Sequence, residues 1–176
     1  ETKNLTYQNK IVYALVKEVK FNKNKKNFYS LKKSKLLDLS KARFILMRQN
    51  PPFNMDYITT TFLLERVSKE TKVINNPFSV RNMPEKLCSI DFLNLMPSTL
   101  FTNNFDEIEK FKKKHKKIVI KPTHGYGGKN ILFINKNLEK IKIIKYIKKH
   151  NHVMVQKFIP QIKNGDKRIF IIGGMI

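Results

Sequence analysis

Apolar and polar positions alternate loosely from Tyr7 to Phe21, with Ile11, Tyr13 and Leu15 set against Lys10, Lys17 and Lys20. That period of two predicts a strand, the Asn22–Asn27 run predicts a turn, and Phe28–Leu31 predicts a returning strand. The charge run Lys32–Lys35 reads as a solvated face. Ala42–Met47 is a short apolar run of the kind found in a buried parallel strand. Two prolines in RQNPPFNMDY (residues 48–57) forbid regular structure there. Asn54 then caps a helix with Asp56 in its first turn and a stripe of Met55, Ile58, Phe62 and Val67. Val73–Ile74 predicts a short strand, followed by a turn at NNP. Asn82 with Glu85 three residues on matches a capping box. It predicts a helix with Leu87, Cys88, Phe92 and Leu95 on one side, ended by Pro97. Leu100–Phe101 reads as a strand. Asn104 caps a further helix, acidic at its start (Asp106, Glu107) and lysine-rich at its end (Lys112–Lys117), both suited to the helix dipole.

From Ile118 the punctuation changes. Ile118–Lys121 predicts a strand, Pro122–Asn130 a glycine-rich loop and Ile131–Ile134 a second strand. A helix follows over Leu138–His150, with Leu138, Ile141, Ile144 and Ile147 inward. Val153–Phe158 and Arg168–Ile172 predict further strands. Strand and helix alternate without an internal repeat, which predicts an α/β fold with a boundary near residue 82, giving regions 1–82 and 83–176.

Composition narrows the class. Hydrophobic residues make up 41% of the 176, a folding composition. No stretch reaches a membrane span and no apolar leader opens the chain, so neither a membrane nor an exported context is expected. Cys88 is the single cysteine; without an intrachain disulfide, a cytoplasmic setting fits. It reads as a small core residue on its helical stripe. The formal net charge of +23 raises a nucleic-acid binder as an alternative. The charges are mostly lysine, dispersed and alternating with apolar residues rather than gathered in one aromatic-interleaved stripe, so no nucleic-acid partner is expected. His150 and His152 form the one close histidine pair, with no third ligand evident, so no metal site is predicted within the chain.

The chemistry concentrates in IVIKPTHGYGGKN, residues 118–130. A strand delivers Lys121 to its end. Gly125, Gly127 and Gly128 lack Cβ atoms, can take positive φ, and let backbone N–H groups approach a polyphosphate. The spacing is neither a Walker loop nor a Rossmann fingerprint, because a strand follows where a helix is required. Downstream, VMVQKFI (residues 153–159) is an apolar strand closed by Pro160. Asp166 and Arg168 then precede another apolar run.

Four blocks occur in order: ILMRQNPPFNMDYITTTFLLER (45–66), NNPFSVRNMPEKL (75–87), IVIKPTHGYGGKNI (118–131) and VMVQKFIPQIKNGDKRIFIIGG (153–174). Together they resemble the bacterial type of glutathione synthetase, in the ATP-grasp superfamily. The resemblance implies an N-terminal α/β substrate domain over 1–82, its start clipped. The first part of an ATP-grasp domain with its flap, or lid, would follow over 83–176. It implies that Lys86 and Lys121 contact ATP phosphates and that Thr123, Gly125, Tyr126, Gly127, Gly128 and Lys129 close over the nucleotide. Gln156, Lys157, Phe158 and Ile159 would line the adenine pocket. Asp166 and Arg168 would sit at the reacting phosphate and the peptide carboxylate, and Arg48 would help bind substrate. The implied activity is ATP-dependent ligation of γ-glutamylcysteine and glycine by a homo-oligomer when full length. Another ATP-grasp carboxylate–amine ligase would share the flap but not the MRQNPPF block.

Two departures stand out. His124 occupies a position where familiar members carry a carboxylate, which leaves any side-chain role there in doubt. The magnesium ligands of the family would fall beyond Ile176. The chain as it stands is therefore expected neither to turn over nor to bind ATP tightly.

Overall fold

The computed structural model describes residues 2–23, 27–67, 69 and 71–175. The chain forms two compact units, Glu1–Cys88 and Ser89–Ile176.

In the first unit, β1 (Leu5–Gln8), β2 (Ile11–Phe21) and β3 (Tyr29–Asp38) form an antiparallel sheet in chain order. Positive φ at both Asn9 and Lys10 makes the tight β1–β2 hairpin turn. A bulge between Lys17 and Val19 interrupts the β2–β3 ladder. Strand β3 runs well past the expected Leu31 and carries Lys32–Lys35 on exposed positions, where Glu18 pairs with Lys32 at 2.5 Å and Lys35 at 3.7 Å. Of the expected Asn22–Asn27 turn, Asn24–Lys26 lie outside the described residues. At its root the Asn22 amide donates to Phe28 O at 2.8 Å.

β4 (Phe44–Leu46) and β5 (Lys72–Ile74) pair in parallel. The pairing is as expected, but the burial is not: Ile45 and Met47 face the core while Phe44 and Leu46 are exposed. A two-stranded ribbon covered on one face buries alternate residues, not the whole run. Helix α1 (Met55–Leu64) starts at Asn54, whose Oδ1 accepts from the Tyr57 amide at 3.0 Å. Its buried positions are Thr60, Thr61 and Leu64 with Tyr57 packed alongside; Met55 and Phe62 lie outside. The cause is α2 (Pro77–Asn82). Arg81 lays its guanidinium 3.9 Å from the Phe62 ring centre, grips Glu65 through two bonds of 2.9 and 3.2 Å, and donates to Thr61 Oγ1 at 2.9 Å.

The capping box expected at Asn82 does not form. Asn76 caps α2 instead, accepting from the Ser79 amide at 3.0 Å, and Asn82 is its last residue. Met83 precedes a proline, is driven out of the α region (φ −120°, ψ 65°), and stops the helix. Residues Cys88–Leu95 then wind as a 3-10 segment kinked at Phe92 with no buried residue. Cys88 is half-buried on that turn, its Sγ 3.4 Å from Glu85 O, and not a core residue.

The second unit is a sheet in the order β6 (Thr99–Thr102), β9 (Val153–Lys157), β7 (Ile118–Pro122), β8 (Leu132–Ile134), every neighbour antiparallel. Helices α3 (Phe105–His115) and α4 (Lys140–His150) pack on one face over a core of Ile108, Ile118, Ile120, Ile143, Tyr146, Val153 and Val155. Asn104 caps α3 as expected, accepting from Asp106 N at 2.8 Å. In α4 the inward set is Ile143, Tyr146 and Ile147, and Ile141 is exposed. A spacing of three drifts by about 60° per step around a helix, so a line through 138, 141, 144 and 147 winds off the buried face. The strand expected over Arg168–Ile172 is absent: the run is exposed and unpaired except for a bridge from Ile172 to Met175. Among the described residues no sheet edge lies beside it, and extended chain without a ladder partner stays irregular.

Two outcomes follow. Ile120 is 0% exposed at the centre of this core, so Ile120→Ala is expected to cost about 3 kcal/mol, read as a lower urea midpoint by circular dichroism. His115, against Phe111, and His150, against Tyr146, have pKa values lowered first by burial and then by neighbouring lysines. The unfolded chain therefore binds protons more readily near pH 6.5. The neutral-histidine contribution is complete above that value and is lost as pH falls through the lower folded pKa values. The Tm is expected to drop from pH 7.5 to 5.5, and to drop less in the H115Q/H150Q double variant.

Candidate nucleotide site

Strand alternation gives the second sheet two different faces. On β7, Ile118, Ile120 and Pro122 point to the helices, leaving Val119 and Lys121 on the opposite face. On β9, Val153 and Val155 join the core, leaving Met154 and Gln156 opposite. The register sets Val119 across from Gln156, Lys121 across from Met154, and Thr99 of β6 across from Gln156 on its other side. Lys121 and Gln156 are thus diagonal neighbours on the face opposite α3 and α4, within reach of long side chains. Lys121 Nζ donates to Gln156 Oε1 at 2.8 Å. Gln156 Nε2 donates to Thr99 Oγ1 at 2.9 Å, and Thr99 Oγ1 donates to Pro97 O at 2.6 Å. Gln156 is only 6% exposed. Thr99 carried no signal in the sequence, because its partner lies 57 residues away and only the strand register joins them.

β7 and β8 are the two legs of the flap. Its tip is a turn closed by the Lys129 amide donating to Tyr126 O at 3.2 Å, with φ of +58° at Gly127 and +67° at Gly128. Positive φ at both central positions is the geometry that glycine adopts without penalty. Gly125 differs from expectation: its φ is not positive. It is needed for space, since a Cβ there would lie 2.6 Å from Pro122 Cγ. Thr123 is 5% exposed and spends its hydroxyl on His152 O at 3.1 Å, so it fastens the flap's root. At the other root, buried Tyr146 donates to Asn130 O, and burial pushes the Tyr146 phenol up to about 12. Tyr126, Lys129 and His124 are exposed on the flap, with the Lys129 ammonium 5.4 Å from the Tyr126 ring centre.

At the end of β9 the chain leaves the sheet. Lys157 N donates to Ser98 O and Phe158 N to Lys117 O, both at 3.0 Å. Phe158 packs on Phe133 with ring centres 4.5 Å apart, and Ile159 is exposed beside it. Lys157 lies on the α3 side, where its charge helps to lower the His115 pKa. Asp166 and Arg168 lie in the exposed run after the 3-10 turn Pro160–Asn164. No hydrogen bond or ion pair involving either is found among the described residues.

In the first unit, Lys86 is 15% exposed with its Nζ 3.4 Å from Glu85 Oε1. Arg48 is exposed and, with Met47, Gln49 and Asn50, lines a hollow of about 520 Å³. It follows the carboxyl end of β4, the end of a parallel pair where open α/β sheets bind ligands. No group of three or more His, Cys, Asp or Glu side chains fit to hold a metal ion occurs among the described residues. The described residues therefore offer no carboxylate cluster to a magnesium ion.

Lys121 is thus braced by Gln156 on the face opposite α3 and α4, at the foot of a glycine turn. Residues 85–176 match the family model described as the ATP-grasp domain of prokaryotic glutathione synthetase, which sets the class. Residues 1–81 match the model for the N-terminal domain of the same enzymes, and the chain belongs to the prokaryotic glutathione synthetase family. It is 38% identical over 166 residues to the glutathione synthetase of Rhodopseudomonas palustris, covering 93% of this chain and 53% of that one. It is 42% identical over 133 residues to that of Bradyrhizobium diazoefficiens, covering 74% of this chain and 42% of that one. The chain spans about half the length of the curated relatives it matches. Among solved structures, D-cycloserine synthetase DcsG shares the fold, with a TM-score of 0.54 at 18% identity over 72% of this chain and 47% of that one.

Gly125→Ala is expected to lower stability by about 1–3 kcal/mol, the usual range for forced overpacking, measured by urea unfolding. Gly125→Ser is expected to cost at least as much.

Proposed function

We propose that the protein carrying this chain is a glutathione synthetase, an ATP-dependent ligase joining γ-glutamylcysteine to glycine. The observation that supports it most directly is the Lys121–Gln156 bond on the sheet face opposite α3 and α4, beside the flap, in a chain of this family. In the proposed reaction the glycyl-accepting carboxylate of γ-glutamylcysteine attacks the γ-phosphorus of ATP. The β–γ bridging bond breaks, and ADP leaves. The glycine nitrogen then attacks the acyl carbon of the resulting acyl phosphate, the C–O bond breaks, inorganic phosphate leaves, and the nitrogen gives up a proton.

An anion attacking a polyanion needs fixed positive charge. Lys121, on a strand rigidly paired on both sides, supplies one such charge with little freedom to lose on binding. Lys86, whose stem is buried, would supply a second. The backbone amides of Gly127 and Gly128 would approach the phosphates without Cβ interference, and the flap over Thr123–Lys129 would keep water from the acyl phosphate. Gln156 and the chain over Lys157–Ile159 would hold the adenine, beside Phe158. We assign Asp166 and Arg168 to the reacting phosphate and peptide carboxylate, and Arg48 to substrate binding in its hollow. Domain limits of 1–82 and 83–176, a homo-oligomeric state and a cytoplasmic location belong to the same proposal; no described helix is long and apolar enough to cross a membrane.

The test is ADP release from ATP by the protein carrying this chain. Release is expected to require both γ-glutamylcysteine and glycine, with Lys121→Met lowering kcat/KM for ATP by about 100-fold or more. Release that ignores γ-glutamylcysteine would refute the assignment.

A further inference from the structure

We infer that Thr99 is a positioning residue for the nucleotide site: through Gln156 it fixes the direction of the Lys121 ammonium. The inference rests on the nucleotide reading above and adds to it a residue outside the flap and the adenine strand. A glutamine amide has two ends that differ only in hydrogen-bond sense, so its orientation follows from the network around it. Here the network admits one answer. The single hydroxyl proton of Thr99 is committed to Pro97 O at 2.6 Å. Its oxygen can then only accept, and what approaches it at 2.9 Å must be the Gln156 NH2. The amide oxygen is thereby turned toward Lys121, an obligate donor, and takes its ammonium at 2.8 Å. Every link runs the same way: lysine to glutamine, glutamine to threonine, threonine to a main-chain carbonyl.

The relay is also shielded. Gln156 is 6% exposed, so water cannot readily replace a lost partner. All three side chains stand on paired strands, Thr99 and Lys121 on the strands flanking the one that carries Gln156. With the hydroxyl removed, the Gln156 NH2 would lose its buried acceptor, and the side chain its anchor on β6. The unanchored amide would shift in search of another acceptor, its oxygen still on Lys121, and would draw the ammonium off its line toward the phosphates. A threonine with only a structural role would, on replacement by valine, cost stability through the lost bonds to Pro97 O and Gln156 but leave the KM for ATP unmoved.

The experiment uses the protein carrying this chain, with ATP as the probe. Thr99→Val is expected to raise the KM for ATP about tenfold, the effect of one misdirected charge-assisted hydrogen bond, with kcat within about twofold on the same reasoning. Thr99→Ser, which keeps the hydroxyl, is expected to restore the KM. In a Gln156→Met background, Thr99→Val is expected to add nothing, because the link it acts through is gone. If the valine variant fails to fold by circular dichroism, Thr99→Ala takes its place. An unchanged KM in the valine variant, an equal rise in the serine variant, or an independent effect in the Gln156→Met background would overturn the inference. Lys121→Met separates the two levels. If it weakens ATP while Thr99→Val does not, the positioning role alone fails; if it leaves ATP unaffected, the nucleotide reading fails and takes this one with it.

Discussion

The antiparallel pairing of Ile118–Pro122 with Val153–Lys157 is the constraint on which the second unit depends. One ladder, by the period of two along each strand, sends Ile118, Ile120, Val153 and Val155 into a core sealed by two helices. The same ladder sends Lys121 and Gln156 to the other face. Stability and site are therefore set by one register. A slip of one residue would turn the lysine into the isoleucine core and carry isoleucines out to the opposite face.

In the first unit a polar clamp does comparable work. The Arg81 guanidinium lies on the Phe62 ring, forks onto Glu65 and reaches Thr61. It binds two short helices through a planar group that satisfies a carboxylate, a hydroxyl and an aromatic face together. Phe62 can then remain on the outer side of its helix, and Leu64 takes the buried place among Val12, Ala14, Leu39 and Met47.

Much of this was legible in the sequence wherever local chemistry decides the outcome. Asn54 and Asn104 cap their helices because a short side-chain acceptor satisfies amides one turn away. The glycine loop was legible because positive φ narrows the residue choice. Legibility failed where a neighbour distant in the chain decides, or where one local rule overrides another. Phe62 looked inward by spacing, but Arg81 covers it from outside. The helix expected from Asn82 fell to Pro84, whose effect on the preceding residue outweighs a capping pattern. Arg168–Ile172 has the composition of a strand, yet a strand needs a partner as well as a propensity. Within the candidate site, Lys121 and the glycine turn stood out through their own residues. Thr99 did not, because a threonine in an apolar strand is commonplace until the register sets it against Gln156.

The two fastenings of the flap have a mechanical consequence. One leg is tied where the Thr123 hydroxyl meets His152 O, and the other where the Tyr146 phenol meets Asn130 O. Only the residues between 123 and 130 remain on the leash. At roughly 3.4 Å of chain per residue, its tip can rise by no more than about 12 Å. Such a short tongue can lift and settle without pulling on the isoleucine core beneath. Its sweep is a matter of loop length alone, so extra glycines at the tip would lengthen the stroke while leaving the sheet untouched.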